Sequence, residues 1–267
     1  MSSTRILAVA SLLAMSAAPA FAATAVFGQV NGNASAFLGA SVTGLPGVVD
    51  SHGDAAGGLP GVLTGHGTVA TALGGDTVNA SQEVRGIWDN ANAGSFSATG
   101  GWTIAIPDSS IAIAQATTID QSLDDTLPAW TYAFDATGND DLFSMTFDVA
   151  THGDSTLGLG AWSLNVLEDG QSVHFQQLSN GTASGLFTQA LQSGHRYQFT
   201  LTSNDGLLVP GTSDTKRFAG FDESNFGWTI TGSATAGVPE PSSWALAIIG
   251  FGMAGTTLRR RVRRALA

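Results

Sequence analysis

The stretch Trp162–Leu178, WSLNVLEDGQSVHFQQL, decides the fold class. Trp162, Leu164 and Val166 alternate with Ser163 and Asn165, the period-2 pattern of a strand with one buried face. Asp169-Gly170 then breaks the run. Both residue types tolerate positive φ, so the pair marks a two-residue hairpin turn. The same alternation recurs on either side. Trp102, Ile104 and Ile106 alternate with Thr103 and Ala105, and Tyr197, Phe199 and Leu201 alternate with Gln198, Thr200 and Thr202. Trp130, Tyr132 and Phe134 are followed by Met145, Phe147 and Val149 in the same manner. Ser193-Gly194 resembles a second hairpin signal. No segment between Ala23 and Gly237 keeps a helical period. The expected fold is all-β, an antiparallel β-sandwich of jelly-roll-like type built from two sheets, with roughly eight to twelve strands.

Composition agrees. Of 267 residues, 34 are Gly and 12% are charged, which suits strands joined by tight turns better than solvated helices. The absence of Cys excludes disulfides, thiol catalysis and thiolate metal sites. The formal charge is −11, and between Ala23 and Gly237 twenty acidic residues face four basic ones, a net of −16. Such a surface repels phosphate backbones, so nucleic acid is not an expected partner.

Residues 44–71 hold a tandem duplication, GLPGVVDSHGDAAG followed by GLPGVLTGHGTVAT. Two copies are too few for a solenoid, so they read as two related turns or short edge strands. His52 and His66 take the same place in each copy. With no acid near His66 in sequence, they read as surface residues and not metal ligands.

The two ends read as addresses. Arg5, an apolar run from Ile6 to Ala18 and then Ala20-Phe21-Ala22 form a cleavable signal peptide over residues 1–22, with Ala20 and Ala22 as the small residues that signal peptidase requires. The mature domain is expected at 23–237, starting at Ala23. Ser242–Leu258 then gives 17 residues without charge, the lower limit for a single transmembrane helix. Arg259, Arg260, Arg261, Arg263 and Arg264 follow, a stop-transfer cluster that snorkels to lipid headgroups and fixes that end in the cytoplasm. Ahead of the span, Pro239 and Pro241 fix two φ angles and hold Glu240 extended.

Pro239-Glu240-Pro241, Trp244-Ala245, an apolar stretch and an Arg cluster, all within 238–267, resemble the PEP-CTERM sorting signal of Gram-negative bacteria, in its Pro-Glu-Pro-x-x-Trp-Ala form. The resemblance implies export, a transient stay in the inner membrane, processing by exosortase (a membrane cysteine transpeptidase) and a final place at the cell surface or outside the cell. It also implies a setting in which extracellular polysaccharide is made. It covers about a tenth of the chain.

Catalytic signatures are sparse. Gly-x-Ser-x-Gly and His-Glu-x-x-His do not occur, and GHGTVA from Gly65 lies inside the repeat without a βαβ setting. The one cation candidate is DATGNDD, where Asp135, Asn139, Asp140 and Asp141 offer the hard oxygens that Ca²⁺ prefers; the same residues suit a plain turn. Trp88, Trp102, Trp130, Trp162 and Trp228 are candidates for stacking on sugar rings, with Trp88 the most loop-like. The expected protein is a non-catalytic surface or matrix component without a cofactor. A polysaccharide-binding module, with or without Ca²⁺, is the alternative, and a glycan-active enzyme stands third.

Overall fold

The computed structural model describes residues 22–39, 47–107, 113–117, 128–138, 140–153, 160–203, 206–209 and 216–232. The chain forms β1 (Ala23–Gly39), β2 (Val48–Gly57), β3 (Gly61–Leu73), β4 (Asp76–Asn90), β5 (Ala93–Ile106), β6 (Ile113–Thr117), β7 (Trp130–Ala136), β8 (Asp141–Gly153), β9 (Trp162–Glu168), β10 (Gln171–Ser179), β11 (Ala183–Leu191), β12 (Arg196–Ser203), β13 (Gly206–Val209) and β14 (Lys216–Thr231). The described residues contain strands and turns but no helix, and the pairings are antiparallel throughout. The all-β expectation holds.

The sandwich is not assembled from two separate sheets. One sheet runs in the order β10-β9-β12-β7-β1-β2-β3-β4-β5-β14-β8-β11, with β6 and β13 attached beside β1. Its two wings fold over a shared aromatic core. Tyr132 of β7 meets Trp228 of β14 at 4.6 Å, Phe199 of β12 meets Phe143 of β8 at 3.8 Å, and Trp88 of β4 stacks on Trp130 of β7 at 6.2 Å. The indole N–H of Trp162 in β9 donates to Ser224 Oγ of β14 at 2.8 Å, and Ser224 in turn donates to the buried Asp222 carboxylate at 2.9 Å. At the far edges, His174 of β10 lies 5.3 Å from Phe187 of β11, so the outermost strands approach each other.

The Asp169-Gly170 hairpin forms as the residues foretell. Both have positive φ, 49° and 81°, and β9 pairs with β10 across them. Ser193-Gly194 turns the chain with Gly194 at φ 87°, but it makes no hairpin. β11 pairs with β8 while β12 pairs with β7 and β9, so this turn carries the chain from one wing to the other. Turn chemistry reports a local reversal and not the partner of the strand that follows.

The duplicated segment lies mainly in strands. It supplies β2 and β3, which explains part of the excess over the expected strand number, and it builds the corner between the wings. The two copies meet at their equivalent point, His52 opposite His66, with rings parallel at 4.7 Å. On either side of that point Asp54 accepts from Thr64 N at 2.9 Å, and Asp50 from Thr68 N at 2.9 Å. Carboxylates thus bridge strands whose backbones have splayed. Behind them β3 lies directly on β1. A Cβ at Gly32 would stand 2.5 Å from His66 Cα, and one at Gly67 would stand 2.7 Å from Ala34 N. Only glycine permits that approach.

Candidate functional site

The tryptophans are spent on the interior. Trp88, Trp102, Trp130, Trp162 and Trp228 are all buried, Trp88 among them at 1% exposure, so none offers a face to a sugar ring. Trp88 follows the inward alternation of β4, with the turn beginning only beyond Asn90. A long β4 explains why a residue just before DNANAG is not in a loop.

The outward face of one wing carries a groove of about 590 Å³. Strand register lays its floor as a lane, Thr68 beside Ser81 beside Gly101 beside Phe221, with His152 next across the sheet. Small side chains keep the floor low. Phe221 is 47% exposed and its ring stacks on His152 at 4.6 Å, forming a wall. This aromatic was missed in the sequence because Phe221 faces outward in a strand whose other aromatics face in.

The acidic loop does not gather its oxygens. Asp135 is exposed on β7, opposite Thr24 and Arg196, and Asp140 is exposed at φ 56°. Asp141 points the other way, 1% exposed, with Oδ2 accepting from Gly138 N at 3.0 Å and Oδ1 without a hydrogen-bond partner. Burial pushes the Asp141 carboxyl above the ordinary carboxylate range, opposed by the Gly138 N–H and reinforced by neighbouring Asp140. Asn139 lies outside the described residues. Among the described residues no group of three or more acidic or His side chains is arranged to hold a metal ion.

A second polar cluster sits where β9 ends, beside Asp135 and Ala136 of β7. His195 Nδ1 lies 3.0 Å from Glu168 Oε1 and 2.8 Å from Asp169 Oδ2, while Asp169 Oδ1 accepts from Arg196 N at 3.0 Å. The Arg196 N–H, then His195, hold the Asp169 carboxyl below its ordinary value. The cluster fastens the β9–β10 hairpin to the start of β12.

Of the processing residues, Ala22 is described: it is buried and its carbonyl accepts from Thr137 N at 3.0 Å. Ala20, the Pro239-Glu240-Pro241 motif, Trp244, Ala245, the apolar span and the Arg cluster lie outside the described residues.

A strand-built domain followed by a proline motif, an apolar stretch and a basic end has the layout of an exported protein sorted through its C-terminus. Residues 237–264 match the PEP-CTERM protein-sorting motif, so this chain carries the signal that exosortase handles, and with it export and membrane-associated sorting towards the cell surface. No curated protein matches the chain. Among solved structures, a chain from the structure of infectious bursal disease virus Gx strain is similar over 80% of this chain and 58% of its own length, at 12% identity and a TM-score of 0.21. The present chain therefore spans less than two thirds of that one, and so low a score carries no argument.

Proposed function

We propose that the mature domain is a non-catalytic structural component of the cell surface or extracellular matrix. The reading is carried by the sorting motif at 237–264, attached to a domain whose tryptophans all pack inward. Signal peptidase removes residues 1–22, the apolar span holds the chain briefly in the inner membrane, and exosortase cuts at or near Pro239-Glu240-Pro241. Replacing Glu240 by Ala leaves export intact and traps a longer form in the inner membrane. Fractionation with mass spectrometry of the C-terminal peptide checks this. An intact Arg259–Arg264 segment on surface-located protein would make the tail a plain anchor.

The groove favours a second reading, that the domain binds extracellular polysaccharide. The lane of Thr68, Ser81 and Gly101 offers hydroxyls and a low floor, and Phe221 offers the ring that packs against sugar C–H faces. Glycan-array binding that disappears in Phe221→Ala supports it, and binding indifferent to that change refutes it. We read the Asp135–Asp141 segment as a turn, so millimolar Ca²⁺ leaves the melting temperature unchanged; a rise of several degrees would restore the cation site.

A further inference from the structure

We infer that the Asp141 carboxylate is a binding site for a primary ammonium, the one that signal-peptide removal creates on Ala23. The inference rests on the proposed cleavage after Ala22. Asp141 is buried with Oδ2 held by Gly138 N and Oδ1 unpartnered, and it has no ion pair among the described residues. An isolated buried carboxylate is costly and calls for a cation or a donor. Oδ1 is lodged between Gly138 and Gly232, where a Cβ on either glycine would run into it, so the adjoining chain supplies no side chain to meet it.

The segment that approaches the same spot is the start of the mature chain. The Ala22 methyl lies 3.1 Å from where a Cβ on Gly232 would stand, hence beside Oδ1. Thr137 N donates to Ala22 O, and Ala23 stands opposite Ala136. In an antiparallel ladder this makes Ala22–Thr137 the hydrogen-bonded pair and turns the Ala23 N–H away from β7. In the precursor that nitrogen is a neutral amide with one hydrogen. Hydrolysis breaks the Ala22–Ala23 C–N bond and consumes one water. Its oxygen stays on the departing Ala22 carboxylate, and the Ala23 amine takes up a proton to become an ammonium with three donors. Departure of Ala22 also vacates the space its methyl filled against Gly232. Cleavage thus supplies the charge and opens the room for it in one event, tying β1 of one wing to β8 of the other.

The test uses the exported protein purified after expression of the full-length gene. Its N-terminus is sequenced, and acetylation of the α-amine is followed by mass spectrometry across pH, with Lys216 (the only lysine) as internal reference. An ordinary α-amine titrates at about 7.7–8.0. Pairing moves the midpoint for Ala23 upward by about one pH unit or more, Asp141→Asn returns it to the ordinary range, and Asp140→Asn leaves it raised. Should Asp141→Asn not fold, the wild-type protein with and without urea gives the same comparison. An ordinary midpoint in folded wild-type protein beginning at Ala23 overturns the inference and leaves export standing. A mature start elsewhere overturns it by removing the cleavage on which it rests.

Discussion

The corner and the aromatic core solve the same problem in opposite ways. Between the wings, Trp130, Trp228, Tyr132, Phe143 and Phe199 fill the space, and stability follows the apolar area that large rings withdraw from water. At the corner, Gly32, Gly65 and Gly67 let backbone rest on backbone, and carboxylates of Asp50 and Asp54 replace ladder bonds that the splayed strands cannot make. One region tolerates nothing removed. The other tolerates nothing added.

That contrast can be broken by substitution. Trp130→Ala should have the largest effect, about 3–5 kcal/mol, because a fully buried ring touching Trp88, Phe96 and Trp228 leaves a cavity. Urea denaturation of the exported protein measures it, and a loss below 1 kcal/mol would mean the wings are not packed through this ring.

Gly32→Ala comes next, at about 3 kcal/mol, the upper end of overpacking costs, since the added methyl meets His66 backbone atoms that no rotamer change can move. Gly61→Ala, at the start of the same β3, is the internal control. A Cβ there meets nothing within 4 Å and φ is not positive, so the change is neutral or stabilises by up to about 1 kcal/mol through the unfolded chain. Equal effects at the two glycines would dissolve the idea of a backbone-on-backbone corner.

The smallest effect concerns acid. Asp169 has its folded-state pKa lowered by the Arg196 N–H and by His195, so its contribution is complete above the ordinary carboxylate value and is lost as pH falls through the lowered one. Asn accepts the positive φ of this turn position, so Asp169→Asn removes the charge and keeps the backbone. The urea midpoint should fall slightly more between pH 5 and pH 3 in the wild type than in the variant. Parallel curves would show that the cluster does no more than lie on the surface.

The aromatic wings were legible because large residues at every second position announce a strand wherever it lies. Trp102-Ile104-Ile106 and Tyr197-Phe199-Leu201 each occupy an inward face as read. The corner was not legible. β3 alternates too, with Leu63, Gly65, Gly67 and Val69 on its inner face, but glycine is silent in a pattern of apolar side chains. The Asp141 site was hidden for another reason. Two of its walls, Ala22 and Gly232, are distant from it in the chain, and nothing local to DATGNDD says that its last aspartate turns inward while the others face water.

The position of β14 has a consequence for the order of events during secretion. This strand is the last of the domain to leave the cytoplasm, yet it lies in the interior of the sheet, paired with β5 from Lys216 to Thr229 and with β8 from Gly220 to Thr231. Until it arrives, β5 and β8 each present an unpaired edge, and Trp228 and Phe226 are missing from the core. Completion of the wing must therefore wait for nearly the whole domain to cross the membrane, and it falls due as the sorting segment enters. A chain broken off before Lys216 would be exported with two open edges, a ready substrate for proteases. Because β14 ends at Thr231 and the sorting motif begins at 237, a chain that has closed its fold has been made to within a few residues of its address.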